Sequence, residues 1–308
     1  MVPVVESHPE VVKTVIRAHR LGNEWMELLG GRQTHPVSLR PGGFGMLPTE
    51  EELRGLQQRM KDVVPDLNTI ADFVLSVADK LPAFERETEH VALVDGQDYT
   101  FYHGDIASTD TEELVPVQQF ERVVNEYVSP QSTAKWTRWH RDSYAVGALS
   151  RLKLNYDRLL PMAKETAEKF GLTPECDNPY MNTVAQVVEC VQIVEHGLQL
   201  IDELLTEGIK AEKPDPRPRE GEGVGCVEAP RGILFHRYGF DGDGKCVKAN
   251  ICIPTGQNHA NIQKDFEELV PQILDQPEDQ IRQNLEMLVR AYDPCISCST
   301  HYLDVDFV

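Results

Sequence analysis

The chain lacks any run of about 18 apolar residues, the length a helix needs to cross a bilayer, so no segment is expected to span a membrane. It also lacks an excess of basic charge. Thirty lysines and arginines stand against 50 aspartates and glutamates, a formal charge of -20, and such a surface repels a phosphate backbone, which argues against nucleic acid as a partner. Met1 to Glu10 has neither the basic start nor the apolar stretch of a secretory signal. The 7 cysteines lack the spacing of a disulfide framework, which points to a reducing, cytoplasmic compartment. No internal repeat is visible. What remains is a chain of 308 residues, 41% hydrophobic, large enough to bury a substantial core. We expect a single domain over 1–308.

The periodicity is mostly helical. Val11, Val12, Val15, Ile16, Leu21, Trp25 and Leu28 outline a first helix ending at Gly30-Gly31, followed by a Pro/Gly-bounded loop from Arg32 to Gly43. Thr49 and Glu52 form a capping-box pattern. The helix it opens carries Leu53, Leu56, Met60 and Val63, and Pro65 predicts a break and a second helix, making a helical hairpin. Val91–Val94 and Tyr99–Tyr102 read as a β-hairpin, Asp105 to Glu113 as a surface loop, and Leu152 to Phe170 and Asn182 to Leu205 as helices. A charged Pro/Gly loop over 206–225 follows. Strands are expected at Val224–Val227, Ile233–Tyr238 and Val247–Ile253, the last two joined by Asp241-Gly242-Asp243-Gly244, and helices at Asn261–Ile273 and Glu278–Tyr292. The fold class is mainly α with a small antiparallel β-sheet, that is α+β.

The strongest chemical signal is Asp293-Pro294-Cys295-Ile296-Ser297-Cys298-Ser299-Thr300-His301. A Cys-x-x-Cys brings two thiolates within reach of one ion, and the spacing by itself leaves zinc, a redox dithiol and an iron-sulfur or mixed-metal centre open. Four-ligand zinc normally needs a second pair, and Cys176, Cys190, Cys226, Cys246 and Cys252 offer no other Cys-x-x-Cys. A thioredoxin-like dithiol wants the pair to open a helix after a strand, whereas here it follows one.

Three further segments join this motif in order: Glu228-Ala229-Pro230-Arg231-Gly232 with Leu234 and His236, Ile253-Pro254-Thr255 with Asn258, and Arg290-Ala291-Tyr292 leading into Asp293. Together with Gly30-Gly31-Arg32 and the stretch from His35-Pro36 to Gly42-Gly43, they resemble the large, catalytic subunit of nickel-iron hydrogenases, in particular the cytoplasmic, cofactor-coupled branch. The resemblance implies that family's helical bundle and oxidation of dihydrogen. It implies Cys295 as a terminal thiolate on nickel, Cys298 as a thiolate bridging nickel and iron, and His301 as a ligand of a separate magnesium or iron. It implies Arg231 above the bimetallic centre with Asp293 holding it or the nearby backbone, and Thr255 with the backbone near Pro230 and Pro254 around the iron's cyanide ligands, carbon monoxide completing the iron's set. The implied partners are an iron-sulfur small subunit, flavin or other electron-carrier subunits, and a maturation protease acting on a tail such as Tyr302 to Val308.

The family pattern also has two upstream cysteines in an Arg-x-Cys-Gly-x-Cys motif, and nothing here matches it. We therefore read the chain as the C-terminal two-thirds of a large subunit, incomplete for catalysis by itself. The competing explanation is a divergent subunit that relinquished half its ligands. Two other functional classes stand beside the hydrogenase reading: a non-catalytic structural or assembly homologue of the fold, and a zinc-binding module using Cys295, Cys298 and His301. The isolated cysteines and His140, His196 and His259 are assigned no chemistry, and the valine-rich face from Val184 to Leu205 is core.

Overall fold

The computed structural model describes residues 6–210, 217 and 219–295. In chain order come helix α1 (Pro9–Gly30), strands β1 (Leu39–Arg40) and β2 (Gly43–Phe44), helix α2 (Glu50–Leu75), and strands β3 (Glu89–Val94), β4 (Asp105–Ser108), β5 (Thr111–Pro116), β6 (Asn125–Val128), β7 (Lys135–Arg138) and β8 (Tyr144–Ala145). Helices α3 (Ala148–Asn155), α4 (Pro161–Lys169) and α5 (Asn182–Glu207) follow, then strands β9 (Gly221–Ala229), β10 (Gly232–Phe240) and β11 (Cys246–Cys252), and helices α6 (Pro254–Ile273) and α7 (Glu278–Ala291). The chain divides into two compact units, one of Met1–Asp79, Leu160–Thr166 and Val187–Pro218, the other of Lys80–Leu159, Ala167–Gln186 and Arg219–Val308.

The first unit is helical. α1 ends where Gly31 turns left-handed at φ 80 and its amide bonds back to Glu27 O. α2 opens on the capping box: Thr49 Oγ1 accepts from Glu52 N at 3.2 Å, and Glu52 Oε2 accepts from Thr49 N at 2.8 Å. The helical hairpin expected at Pro65 does not form, because α2 runs through the proline as one helix. Its buried residues Leu53, Leu56, Met60, Val63, Leu67 and Ala71 keep one helical phase across Pro65, and burying that continuous stripe outweighs the roughly 3 kcal/mol an internal proline costs. Arg17 of α1 grips Asp66 of α2 with two bonds, Nε to Oδ2 at 2.7 Å and Nη2 to Oδ1 at 2.5 Å.

The second unit carries the sheets: β5-β4-β3-β8, β11-β10-β9 and β6-β7. The expected α+β class holds; among the described residues the pairings are antiparallel except β3 with β8, and the strands lie in several small sheets, one of them mixed. The return strand of the β3 hairpin is β4, not Tyr99–Tyr102, and most of the segment expected to be a surface loop is the β4–β5 pair. The pattern is faint for a physical reason. Ile106 and Ala107 are the only apolar side chains β4 offers, and β5 has a mostly exposed edge. The single helix expected over Leu152–Phe170 is two, α3 and α4, separated by a 3-10 turn at Tyr156–Arg158 and restarted at Pro161. One apolar core joins Val91, Leu93, Ile106, Tyr144, Ile233 and Phe235, with Phe120 and Phe235 stacked at 4.8 Å. Another holds α6 to α7 through Leu269, Ile273, Ile281, Leu285 and Leu288, with Phe84 and Tyr180.

Candidate metal centre

Arg231 sits at the tip of a tight hairpin. Gly232 pairs with Ala229 across β9 and β10, which leaves Pro230 and Arg231 as the two connecting residues. Gly232 has φ +129, and a Cβ there would lie 2.3 Å from Val146 Cγ2, so the close approach of the tip to Val146 demands glycine. From the tip, Arg231 Nε donates to Asp293 O at 2.5 Å, and the same nitrogen lies 3.5 Å from Asp293 Oδ2. Both side chains are partly exposed.

Asp293 reaches Arg231 because of how α7 stops. Tyr292 caps the helix, the Asp293 amide bonds back to Arg290 O at 3.0 Å, and Asp293 turns left-handed at φ 48 before Pro294. Two residues on, the Cys295 amide donates to Thr255 Oγ1 at 3.3 Å. Thr255 is buried in the first turn of α6, just after Pro254 at N1, where proline's missing N–H costs nothing. The structure thus brings Arg231, Asp293, Cys295, Thr255, Pro254 and Pro230 to one place, from three elements distant in sequence. Cys298 and His301 lie outside the described residues.

The residues that hold this arrangement went largely unrecognised in the sequence. Arg151 of α3, 1% exposed, clamps the strand end before the tip: Nη1 donates to Glu228 Oε2 at 3.0 Å and Ala229 O at 2.8 Å, and Nη2 donates to Pro230 O at 3.1 Å. The other Glu228 oxygen accepts from Leu93 N at 2.9 Å. Asn258 donates to Arg231 O at 3.3 Å and Val146 O at 3.1 Å, and its carbonyl accepts from Val146 N at 2.9 Å. On the α7 side, Asn182 Nδ2 donates to Ala291 O at 2.6 Å. Tyr292 donates to Asp265 Oδ2 at 2.5 Å and accepts from Asn261 Nδ2 at 2.8 Å, while Arg86 Nε donates to Asp265 Oδ1 at 2.6 Å. Burial, reinforced by the Asp265 carboxylate, holds the Tyr292 hydroxyl well above the ordinary tyrosine value, so it stays a donor. Asn258 stood in the motif with no role attached. Arg151 gave no signal, because nearly every residue of α3 is buried and no polar face marks it out.

The donor set can be tested against a thiolate-held nickel-iron pair. Cys295 supplies a soft sulfur donor of the kind nickel and low-spin iron prefer, two residues after the Asp293 that anchors the Arg231 guanidinium. That combination fits one edge of such a centre. Among the described residues, no three-donor cluster of cysteine, histidine or carboxylate includes Cys295. Among the described residues, no helix is long and apolar enough to cross a membrane.

Residues 84–301 match the family model described as nickel-dependent hydrogenase. Sulfhydrogenase 2 subunit alpha of Pyrococcus furiosus is 32% identical over 303 residues, covering 98% of this chain and 70% of the relative. Sulfhydrogenase 1 subunit alpha of the same organism is 30% identical, over 97% of this chain and 69% of the relative. Among solved structures, an NAD+-reducing NiFe hydrogenase in the H2-reduced state superposes with a TM-score of 0.84 at 22% identity, over 97% of this chain and 70% of that one, and so shares the fold. With its C-terminal motifs gathered at one site, a family model spanning more than half its length and a relative 32% identical over 98% of it, the chain belongs to the nickel-dependent hydrogenase family.

Proposed function

We propose that this chain belongs to the large, catalytic subunit of a nickel-iron hydrogenase of the cytoplasmic, cofactor-coupled branch, the whole of which catalyses reversible oxidation of dihydrogen to protons and electrons. The observation that carries this reading is the meeting of Arg231 with Asp293, two residues before Cys295, whose own amide is tied to Thr255. In this reading Cys295 and Cys298 would hold nickel and iron, His301 would hold a separate magnesium or iron, and Thr255 with the backbone at Pro230 and Pro254 would surround the iron's cyanide ligands. When bound, the nickel-iron pair supplies the redox chemistry that dihydrogen cleavage requires.

The chain's own contribution is positional and electrostatic. Arg231 acts as a fixed positive group that polarises dihydrogen. Its Nε is committed to Asp293, which leaves the Nη ends for the substrate. Arg151, Glu228 and Asn258 keep the tip from drifting, so the charge is already in place before reaction. Electrons leave through the clusters of an iron-sulfur small subunit, with flavin or other carrier subunits beyond it. A maturation protease that trims the tail after His301 belongs to the same reading.

The test is Arg231→Lys in the assembled complex. Retained nickel with dihydrogen turnover lowered about 100-fold or more supports the reading, since a preorganised charge of this kind is worth that much and lysine cannot reproduce a guanidinium fork. Unchanged turnover with nickel retained overturns it.

A further inference from the structure

Among the described residues, two buried side-chain nitrogens have no protein hydrogen-bond partner: Trp136 Nε1 and His90 Nε2. Native interiors rarely leave such groups unanswered. His90 lies on β3, 4% exposed, and its other nitrogen, Nδ1, is 2.9 Å from Ser150 Oγ. The Ser150 hydroxyl also lies 2.9 Å from Ala145 O, which can only accept. Its single proton therefore goes to that carbonyl, and Ser150 Oγ accepts from His90 Nδ1–H. The neutral ring then carries its proton on Nδ1 and a bare lone pair on Nε2.

The ring lines a small, partly open cavity of about 20 Å³ whose walls include Thr88, Ser150, Asp177, Asn182 and Tyr292. One water needs about 10–15 Å³ of such space and two to four polar partners. We propose that this cavity is a built site for a single water molecule, which donates a hydrogen bond to His90 Nε2 and turns its remaining proton and lone pairs to the polar wall formed by Thr88, Asp177 and Asn182. Burial, with the nearby charges of Lys153, Arg86 and Arg141, holds the imidazole well below the ordinary histidine value, so His90 is a hydrogen-bond acceptor near neutral pH and not a proton carrier. Asn182 and Tyr292, which form part of the wall, also anchor the end of α7. The water would fill the back of the scaffold that presents Asp293. The inference concerns only this chain's side chains and does not rest on the metals.

High-resolution crystallography of the full chain, joined to ¹⁵N NMR of histidine-labelled protein, tests it. The expected result is a solvent peak about 2.7–3.2 Å from His90 Nε2 and a ring protonated at Nδ1. In His90→Phe, which keeps a planar ring of slightly larger size and removes the acceptor, the peak is lost. A proton on Nε2, a cavity filled by residues 296–308 or by a shifted side chain, or a peak that survives His90→Phe would each overturn the proposal. The wild-type map and tautomer decide the question even if the variant fails to fold.

Discussion

Arg231 is useful only if it is stationary, and two residues away from it decide that. Arg151 places a buried guanidinium against Glu228 and two consecutive carbonyls, so the tip inherits the rigidity of α3. Arg151→Met would leave the Glu228 carboxylate buried without that cation, a loss of about 3–5 kcal/mol in a denaturant titration. Adding Glu228→Gln should restore part of it, and equal stability of the single and double variants would contradict the clamp. Arg231, Asp293, Thr255 and Cys295 were legible in the sequence because each stands in a compact motif. Arg151 was not, because a lone arginine in an all-buried helix has no periodic signature. His90 adds a pH dependence whose sign follows from its depressed value. The unfolded chain takes up a proton near 6.5 and the folded one does not, so stability falls as pH drops below about 6.5, by at most about 1.4 kcal/mol per pH unit. Urea midpoints of wild type and His90→Phe between pH 7 and 5 should diverge in that direction, and parallel curves would show that the ring is not buried neutral.

At the scale of elements, local chemistry was readable where it sat within a few residues and unreadable where it depended on distant packing. The Thr49–Glu52 box and the Asp241–Gly244 turn announced themselves. Pro65 misled because a stop signal was overruled by a stripe that buries Leu67 and Ala71 in phase with Leu53. β4 and β5 were missed because β4 offers few apolar side chains of its own, β5 pairs only with β4 and is mostly exposed, and β3 on the other side of β4 supplies most of the burial. The hairpin of β9 and β10 was only half visible: its strands were expected, but nothing marked Pro230 and Arg231 as its two-residue tip. That tip depends on Gly232. In Gly232→Ala the new Cβ meets Val146 at 2.3 Å while φ stays at +129, so strain and overpacking together should cost about 2–5 kcal/mol. The variant is expected to lose nickel as well as thermal stability; an unaltered melting temperature would show that the tip has room the geometry denies.

For the whole molecule, three segments far apart in sequence become one site, and the family match extends over the same stretch. The order of those segments made the family recognisable before their contacts were known. Their mutual geometry was not derivable, because it depends on buried amides such as Asn258 and Asn182 that look like ordinary polar residues until their partners are seen. The central claim is that Cys295 helps hold nickel beside Arg231. The most direct measurement is the nickel, iron and zinc content of the purified full-length hydrogenase complex, wild type against Cys295→Ala. The account predicts near-stoichiometric nickel and iron in the wild type and loss of nickel in the variant. Zinc in place of nickel, or nickel indifferent to Cys295→Ala, would contradict it.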